Sequence, residues 1–250
     1  MWASRIREAL DSDQFEFFAQ PIVPASPDSP ARPHLELLLR MRRPDGGHVA
    51  NSTMISAVEE FHYGLRVDTW VIENAFRLLA DYRVGGDSPT ASASTCPGSR
   101  WPRVRSSTTC STAFATTESP RTGLFRGYGD RGHRQHGNGR PVLQGHAQLG
   151  CRLALDDFGS GLSSYGYLRQ IPADIVKIDG SLISGLADDD IKLAIVDSII
   201  NLASRLDKTT IAEHVESERV KDILLDLGVD MLQGNFVSQP VPVRRFLETN

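Results

Sequence analysis

Cysteine is scarce in this chain: its 250 residues hold three, Cys96, Cys110 and Cys151, with no paired spacing. That argues against a disulfide framework and makes a reducing, cytoplasmic location the default expectation. No apolar run approaches the length of a membrane span, and the opening "MWASRIREALDSDQ" is too polar for a signal peptide. Excess positive charge is missing as well. The net charge of -4 at pH 7 gives no reason to expect a nucleic acid polymer or an anionic membrane as partner. What is present, 40% hydrophobic and 23% charged residues, suits a soluble globular protein. The length fits a single domain spanning 1–250, and α/β barrels of this size are common.

A second set of absences is local. From about Asp87 to about His146 the chain has no lysine, isoleucine or methionine, and its branched aliphatics are Val104, Leu124, Val142 and Leu143. Eight arginines face Asp87, Glu118 and Asp130, a net of +5 that leaves -9 for the remainder. A segment of this composition cannot bury enough apolar surface to offset its ordering entropy. A structureless stretch of that length is also foreign to a compact domain. Within it, "GDRGHRQHGNGR" (residues 129–140) invites a metal reading at His133 and His136, or an Arg/Gly RNA-binding tract. The first needs more ligands and a framework, and the second needs aromatic interleaving that is sparse here.

The flanks alternate between strands and helices. "FEFFAQPIV" and "HLELLLRMRR" are two apolar runs separated by a Pro/Ser-rich turn, and "VDTWVIENAFRLLADYR" has helical periodicity. After the odd segment come a strand in "RLALDDFG", a helix in "SSYGYLRQI" and a strand in "DIVKIDG". A long helix, "IKLAIVDSIINLASRLD", leads to a strand in "TTIAEHV". Then follow a helix with a serine start and a glycine stop, "SERVKDILLDLG", and a last strand in "DMLQGNFVSQP". Repeated βα units with apolar strands point to a buried parallel sheet.

Polar residues recur toward the C-terminal ends of these strands: Asp156 and Asp157, Lys177, Glu213 and Gln233. One such acid would be read as a helix cap. Five, including an adjacent carboxylate pair, point to a shared site at the active-site end of a (β/α)8 barrel. Clustered carboxylates suit Mg²⁺ or Mn²⁺. Two such ions roughly 3.5–4 Å apart clamp a phosphodiester, so the chemistry suggests metal-assisted phosphoester hydrolysis.

In family order and spacing, "FFAQPIV", "ELLLRMRRPDG", "LALDDFGSGLSSYGYL", "DIVKIDGSLI", "IAEHVES" and "LQGNFVSQP" resemble the signatures of EAL-domain cyclic-di-GMP phosphodiesterases. The resemblance covers Phe15 to about Arg83 and Gly150 to the end. It implies a modified TIM barrel whose first strand is antiparallel, and hydrolysis of cyclic di-GMP to linear pGpG with two divalent ions, Mg²⁺ or Mn²⁺. Carried over position by position, Glu36, Asp156, Asp157 and Glu213 are metal ligands, and Glu213 is also the candidate base. Lys177 is expected to hold the attacking water. Arg40 is the phosphate-contacting arginine, Gln20 lies in the substrate-contacting opening motif, and Gln233 completes the site. Cyclic di-GMP is the implied partner, and a homodimer is left open.

Three departures stand out. The name-giving motif reads Glu36-Leu37-Leu38 in place of Glu-Ala-Leu, and His214 replaces a glycine next to Glu213. The family's Asn-Leu-Ser and Glu-x-Thr-Glu strands, each with a metal ligand, are absent between Arg83 and Gly150. Within codon degeneracy, a shifted frame restores both. "STCPGSRWP" (residues 94–102) becomes Asn-Leu-Ser-Gly-Gln-Ser-Leu-Ala, and "FRGYGDRGHRQHGNGR" opens as Phe-Glu-Val-Thr-Glu-Thr-Ala-Ala. The segment at about 87–146 is therefore read as an enzyme strand and helix translated out of frame. The expectation is a barrel with two strands missing or disrupted, and impaired turnover. The alternative is a degenerate EAL module that binds cyclic di-GMP or a protein partner without cleavage.

Overall fold

Short, mostly apolar strands buried on both faces build the wall of this molecule. The computed structural model describes residues 2–29, 34–82, 90–93, 113–115, 125–128, 152–160, 168 and 173–249. Helix α1 (Trp2–Asp11) precedes strands β1 (Phe15–Pro24) and β2 (His34–Met41), followed by α2 (Asn51–Glu60) and α3 (Gly64–Tyr82). Three short strands come next: β3 (Thr90–Ala93), β4 (Ala113–Ala115) and β5 (Phe125–Tyr128). Then follow β6 (Leu153–Phe158), β7 (Ile175–Ile178), the one-turn helix α4 (Gly180–Ile183) and α5 (Asp190–Arg205). The chain ends with β8 (Thr209–Ala212), α6 (Glu218–Asp226), β9 (Met231–Leu232), β10 (Val241–Pro242) and α7 (Val243–Thr249).

The strands form one curled sheet in the order β4-β3-β2-β1-β9-β8-β7-β6-β5, with β10 also on β1. β6 through β9 run parallel to one another, whereas β1 is antiparallel to β2, β9 and β10. This is the expected TIM-like barrel with a reversed first strand. The expected disruption falls where the anomalous composition lies. The two places are not empty: β3 pairs parallel with β2, and β5 pairs parallel with β6. The second of these strands starts at Phe125, where the shifted frame reads Phe-Glu-Val-Thr. Yet β4 returns antiparallel on β3, against the barrel's parallel pattern. Among the described residues, no ladder joins β4 to β5, so the sheet is a curled wall with two ends.

Side chains alternate across that wall because successive strand residues face opposite sides. Inward, Ile22, Ala154, Ile175, Ile211 and Met231 form a buried apolar layer, one residue from each of β1, β6, β7, β8 and β9. Outward, Leu155, Val176, Ile178, Ala212 and Leu232 pack under α5 and α6 with Val196, Ile199, Ile200, Val220 and Leu224. A second outer cluster buries Phe15, Phe17, Ala19, Leu35, Leu37 and Leu39 against α1, α2 and α3, where Trp70 meets the rings of Phe15 and Phe17 at 5.4 and 5.5 Å.

Helix starts follow their capping signals. Asp179 accepts from Ser181 N, Asp189 from Ile191 N and Lys192 N, and Ser217 from Val220 N. The predicted glycine stop of α6 is Gly228, at φ +82°. The last predicted strand is shorter than "DMLQGNFVSQP" suggests. After Leu232 the chain turns, and Gly234 lies so close to Val215 that an added Cβ would sit 2.2 Å from its backbone N and O. The predicted helix in "SSYGYLRQI" falls almost wholly outside the described residues, as do His133, His136 and residues 94–102. Among the described residues, no helix is long and apolar enough to cross a membrane.

Candidate active site

One step beyond the apolar layer, the inward positions turn polar. On parallel strands the polar residue lies two positions further on: Ala154 leads to Asp156, Ile175 to Lys177, Ile211 to Glu213 and Met231 to Gln233. On the reversed β1 the order inverts, so Gln20 comes before Ile22 and lies opposite Glu36 of β2. A period-2 pattern on five strands thus stacks a polar layer on an apolar plug at one end of the barrel.

Lys177 is the hub. Its side chain is 0% exposed, and its Nζ donates to Glu36 Oε1 and Oε2 at 3.3 and 3.4 Å. It also pairs with Asp156 Oδ1 at 3.3 Å and with Glu213 Oε1. Glu36 is 3% exposed, Asp156 1%, and the Glu213 side chain 13%. Burial of so many carboxylates is tolerable only with compensating cations and hydrogen bonds. Here one ammonium is shared among three carboxylates.

An amide chain fixes Glu36 from the other side. Gln233 Nε2 donates to Glu36 Oε2 at 2.5 Å and to Gln20 Oε1 at 3.1 Å, while Gln20 Nε2 donates to the Ser238 carbonyl at 3.0 Å. Gln233 is 5% exposed, and its Oε1 has no hydrogen-bond partner among the described residues. The Ser238 carbonyl escaped sequence reasoning, because a main-chain acceptor carries no residue signature.

Asp157 reaches the site through an irregularity. Simple alternation would turn it outward from Asp156, but the β6–β7 register shifts between Leu155 and Phe158, and Asp157 adopts φ +49°. Bulges of this kind re-aim a side chain. The result is a trio, Asp156, Asp157 and Glu213, whose ligand oxygens lie within 4.8 Å of one another. Gly159, at φ +97°, completes the bend, and a Cβ there would meet Leu182 Cδ1 at 2.4 Å.

The trio fits a divalent ion on its donor chemistry, since carboxylate oxygens suit Mg²⁺ and Mn²⁺. The orphaned Gln233 oxygen is a further acceptor in the same polar layer. Glu36, expected as a ligand, accepts hydrogen bonds from Lys177 and Gln233. Arg40 is half-buried: its Nη1 donates to the Leu39 carbonyl at 2.9 Å, and its guanidinium lies 5.5 Å from the Phe18 ring centroid. Burial lowers its basicity, and the nearby charge of Glu36 opposes that shift. His214 is exposed and left-handed at φ +52°, with its ring over Gly180, where a Cβ would lie 1.7 Å from Nδ1.

A TIM-like barrel with a reversed strand and a carboxylate-lined end defines a class of metal-binding barrel domains. The chain belongs to the EAL domain family, whose family model matches residues 3–101 and 114–240 and leaves out a stretch inside the anomalous segment. It is similar to the cyclic di-GMP phosphodiesterase PdeF of Escherichia coli (strain K12), with 30% identity over 96% of this chain and 32% of that protein. It is likewise similar to the cyclic di-GMP phosphodiesterase PdeB of Shewanella oneidensis, with 31% identity over 99% and 29% of the two chains. The chain thus spans about a third of the length of these curated relatives. Among solved structures, the PaMucR phosphodiesterase in complex with c-di-GMP superposes with a TM-score of 0.76 at 24% identity, over 98% of this chain and 99% of that one. The FimX EAL domain from Pseudomonas aeruginosa bound to c-di-GMP gives 0.69 at 21% identity, over 96% of each chain. At these identities the likeness shows the fold.

Proposed function

We propose that this chain is a phosphodiesterase module that hydrolyses cyclic di-GMP to linear pGpG with a divalent ion, Mg²⁺ or Mn²⁺, at a rate below that of an intact EAL barrel. The observation that carries this reading is the buried Lys177 hub, with Glu36, Asp156 and Glu213 around one ammonium and Asp157 beside them. Residues 1–250 act as one domain, in the cytoplasm, on a soluble nucleotide. The names of the relatives, cyclic di-GMP phosphodiesterases PdeF and PdeB, point to the same substrate.

In this reading Asp156, Asp157 and Glu213 hold the ion, which supplies Lewis-acid polarisation of the phosphodiester. Glu213 accepts the proton of the attacking water, and Lys177 holds that water in line with phosphorus. The P–O bond to one ribose 3′ oxygen breaks, and that oxygen leaves with the bonding pair and takes a proton from solvent to become the 3′ hydroxyl. Gln20 and Arg40 orient the substrate, the guanidinium offering donors in a fork suited to phosphate oxygens. Gln233 keeps the Glu36 carboxylate in place.

The competing reading is a module that binds cyclic di-GMP without cleaving it. It is favoured by the missing Asn-Leu-Ser and Glu-x-Thr-Glu motifs. Calorimetric binding of cyclic di-GMP, run beside a turnover assay with Mg²⁺ and Mn²⁺, separates the two. Slow pGpG production supports hydrolysis, and tight binding without product supports the receptor.

A further inference from the structure

We infer that His48 is a positioning residue for Arg40: by engaging the carboxylate of Glu16, it keeps the Arg40 guanidinium leaning over Phe18 toward the polar layer, available to a phosphate oxygen of cyclic di-GMP. The inference deepens the phosphodiesterase reading above and rests on it for the ligand that Arg40 meets.

Two observations carry it. The first is a cross-strand pair that does not form. Glu16, Phe18 and Gln20 are alternate residues on one face of β1, and Arg40, Leu38 and Glu36 of β2 lie directly opposite them in that order. Directly opposed side chains have their Cβ atoms about 4.5–5.5 Å apart, and opposite charges so placed attract. Glu16 is therefore the natural partner of Arg40. Instead its Oε1 lies 2.7 Å from His48 Nε2, which donates to it, and 3.7 Å from Arg42 Nε. Among the described residues no ion pair joins Arg40 to Glu16. The guanidinium lies 5.5 Å from the Phe18 ring centroid, one step nearer the polar layer, and the carboxylate whose charge reaches it is that of Glu36.

The second observation is how His48 is held in that place. After β2 the chain makes a tight turn, with Pro44 in its second position and Gly46 N donating to the Arg43 carbonyl at 3.0 Å. Gly46, at φ +85°, closes the turn, and Arg43 N donates back to the Gly47 carbonyl at 2.7 Å. The return sets His48 antiparallel beside Arg42, and Val49 N donates to the Met41 carbonyl at 2.9 Å. The imidazole then stands at 84° to the Phe18 ring, with centroids 5.1 Å apart. Glu16, His48, Phe18 and Arg40 thus form one contact chain that ends at the polar layer.

The test is calorimetric affinity for cyclic di-GMP on the full chain. His48→Phe keeps a ring beside Phe18 and removes the donor. Because a half-exposed ion pair is weak, the Kd is expected to rise only about three- to fivefold, with kcat within about twofold. His48→Gln retains an amide donor and is expected to hold the Kd within about twofold. Adding Glu16→Gln to His48→Phe is expected to restore the parent Kd, since the competing charge is gone. Lost packing would not be repaired that way. A readout without ligand is the coupling between Glu16→Gln and Arg40→Met in thermal unfolding, expected to be absent in the parent and present in the His48→Phe background.

An unchanged Kd in His48→Phe, or a loss that Glu16→Gln does not rescue, overturns the inference. Weaker binding by Arg40→Met beside either result leaves the phosphodiesterase reading standing. A chain that does not bind cyclic di-GMP sinks that reading, and the coupling then decides alone. Its appearance in His48→Phe supports the positioning role, and its absence there overturns it.

Discussion

Removing the Lys177 ammonium is the sharpest perturbation of the site. In Lys177→Met the thioether fills much of the lysine stem's volume, so the loss is mainly electrostatic. Three carboxylates, on Glu36, Asp156 and Glu213, lose the cation they share in a position that is 0% exposed. Breaking a buried pair by deleting one partner costs about 3–5 kcal/mol. A domain of ordinary stability has only about 5–15 kcal/mol in total. At about 2–4 °C per kcal/mol for a chain of this size, the melting temperature in EDTA should fall by roughly 6–20 °C. Saturating Mn²⁺ should recover part of that loss, since an ion at about 100 times its Kd adds about 2.7 kcal/mol. Thermal unfolding followed by circular dichroism, with and without the ion, reads both effects. A variant that melts within about 2 °C of the parent in EDTA would refute the hub as a source of stability.

Three further predictions concern the backbone and the gene. His214→Gly should stabilise the chain by about 1 kcal/mol, because a left-handed histidine is strained at φ +52° and glycine is not. Gly180→Ala should cost about 1–3 kcal/mol against the His214 ring and far less in the His214→Gly background, a coupling that a double-mutant cycle measures. Resequencing the coding DNA between the Arg83 and Gly150 codons should reveal single-base slips. A corrected chain should then carry Asn-Leu-Ser and Glu-x-Thr-Glu and turn over faster, whereas a verified reading of the present codons would remove the out-of-frame explanation.

The legible part of the fold was the part with strong periodicity. α5 and α6 announced themselves by apolar spacing and by Asp189 and Ser217 at their starts. The βα alternation after Gly150 predicted the parallel wall. α1 and α2 lie outside the elements read from the sequence, and β10 is only Val241–Pro242, a pairing on β1 that no local pattern encodes. Lys177, Glu213, Asp156 and Gln233 could be placed from sequence because each follows an inward apolar residue by two positions. How those groups divide could not. That Gln233 reaches Glu36, while Asp157 swings in to join Asp156 and Glu213, depends on a bulge in β6 and on cross-strand register. Both are tertiary facts.

The most direct measurement is product formation by a chain of verified mass. Cyclic di-GMP is incubated with the protein and Mn²⁺, pGpG is followed by chromatography, and Glu213→Gln is run in parallel as the variant lacking the proton acceptor. Slow pGpG formation by the parent, absent from Glu213→Gln, is the predicted result. Bound cyclic di-GMP that stays intact, or equal product from parent and variant, would contradict the assignment of hydrolysis to this site.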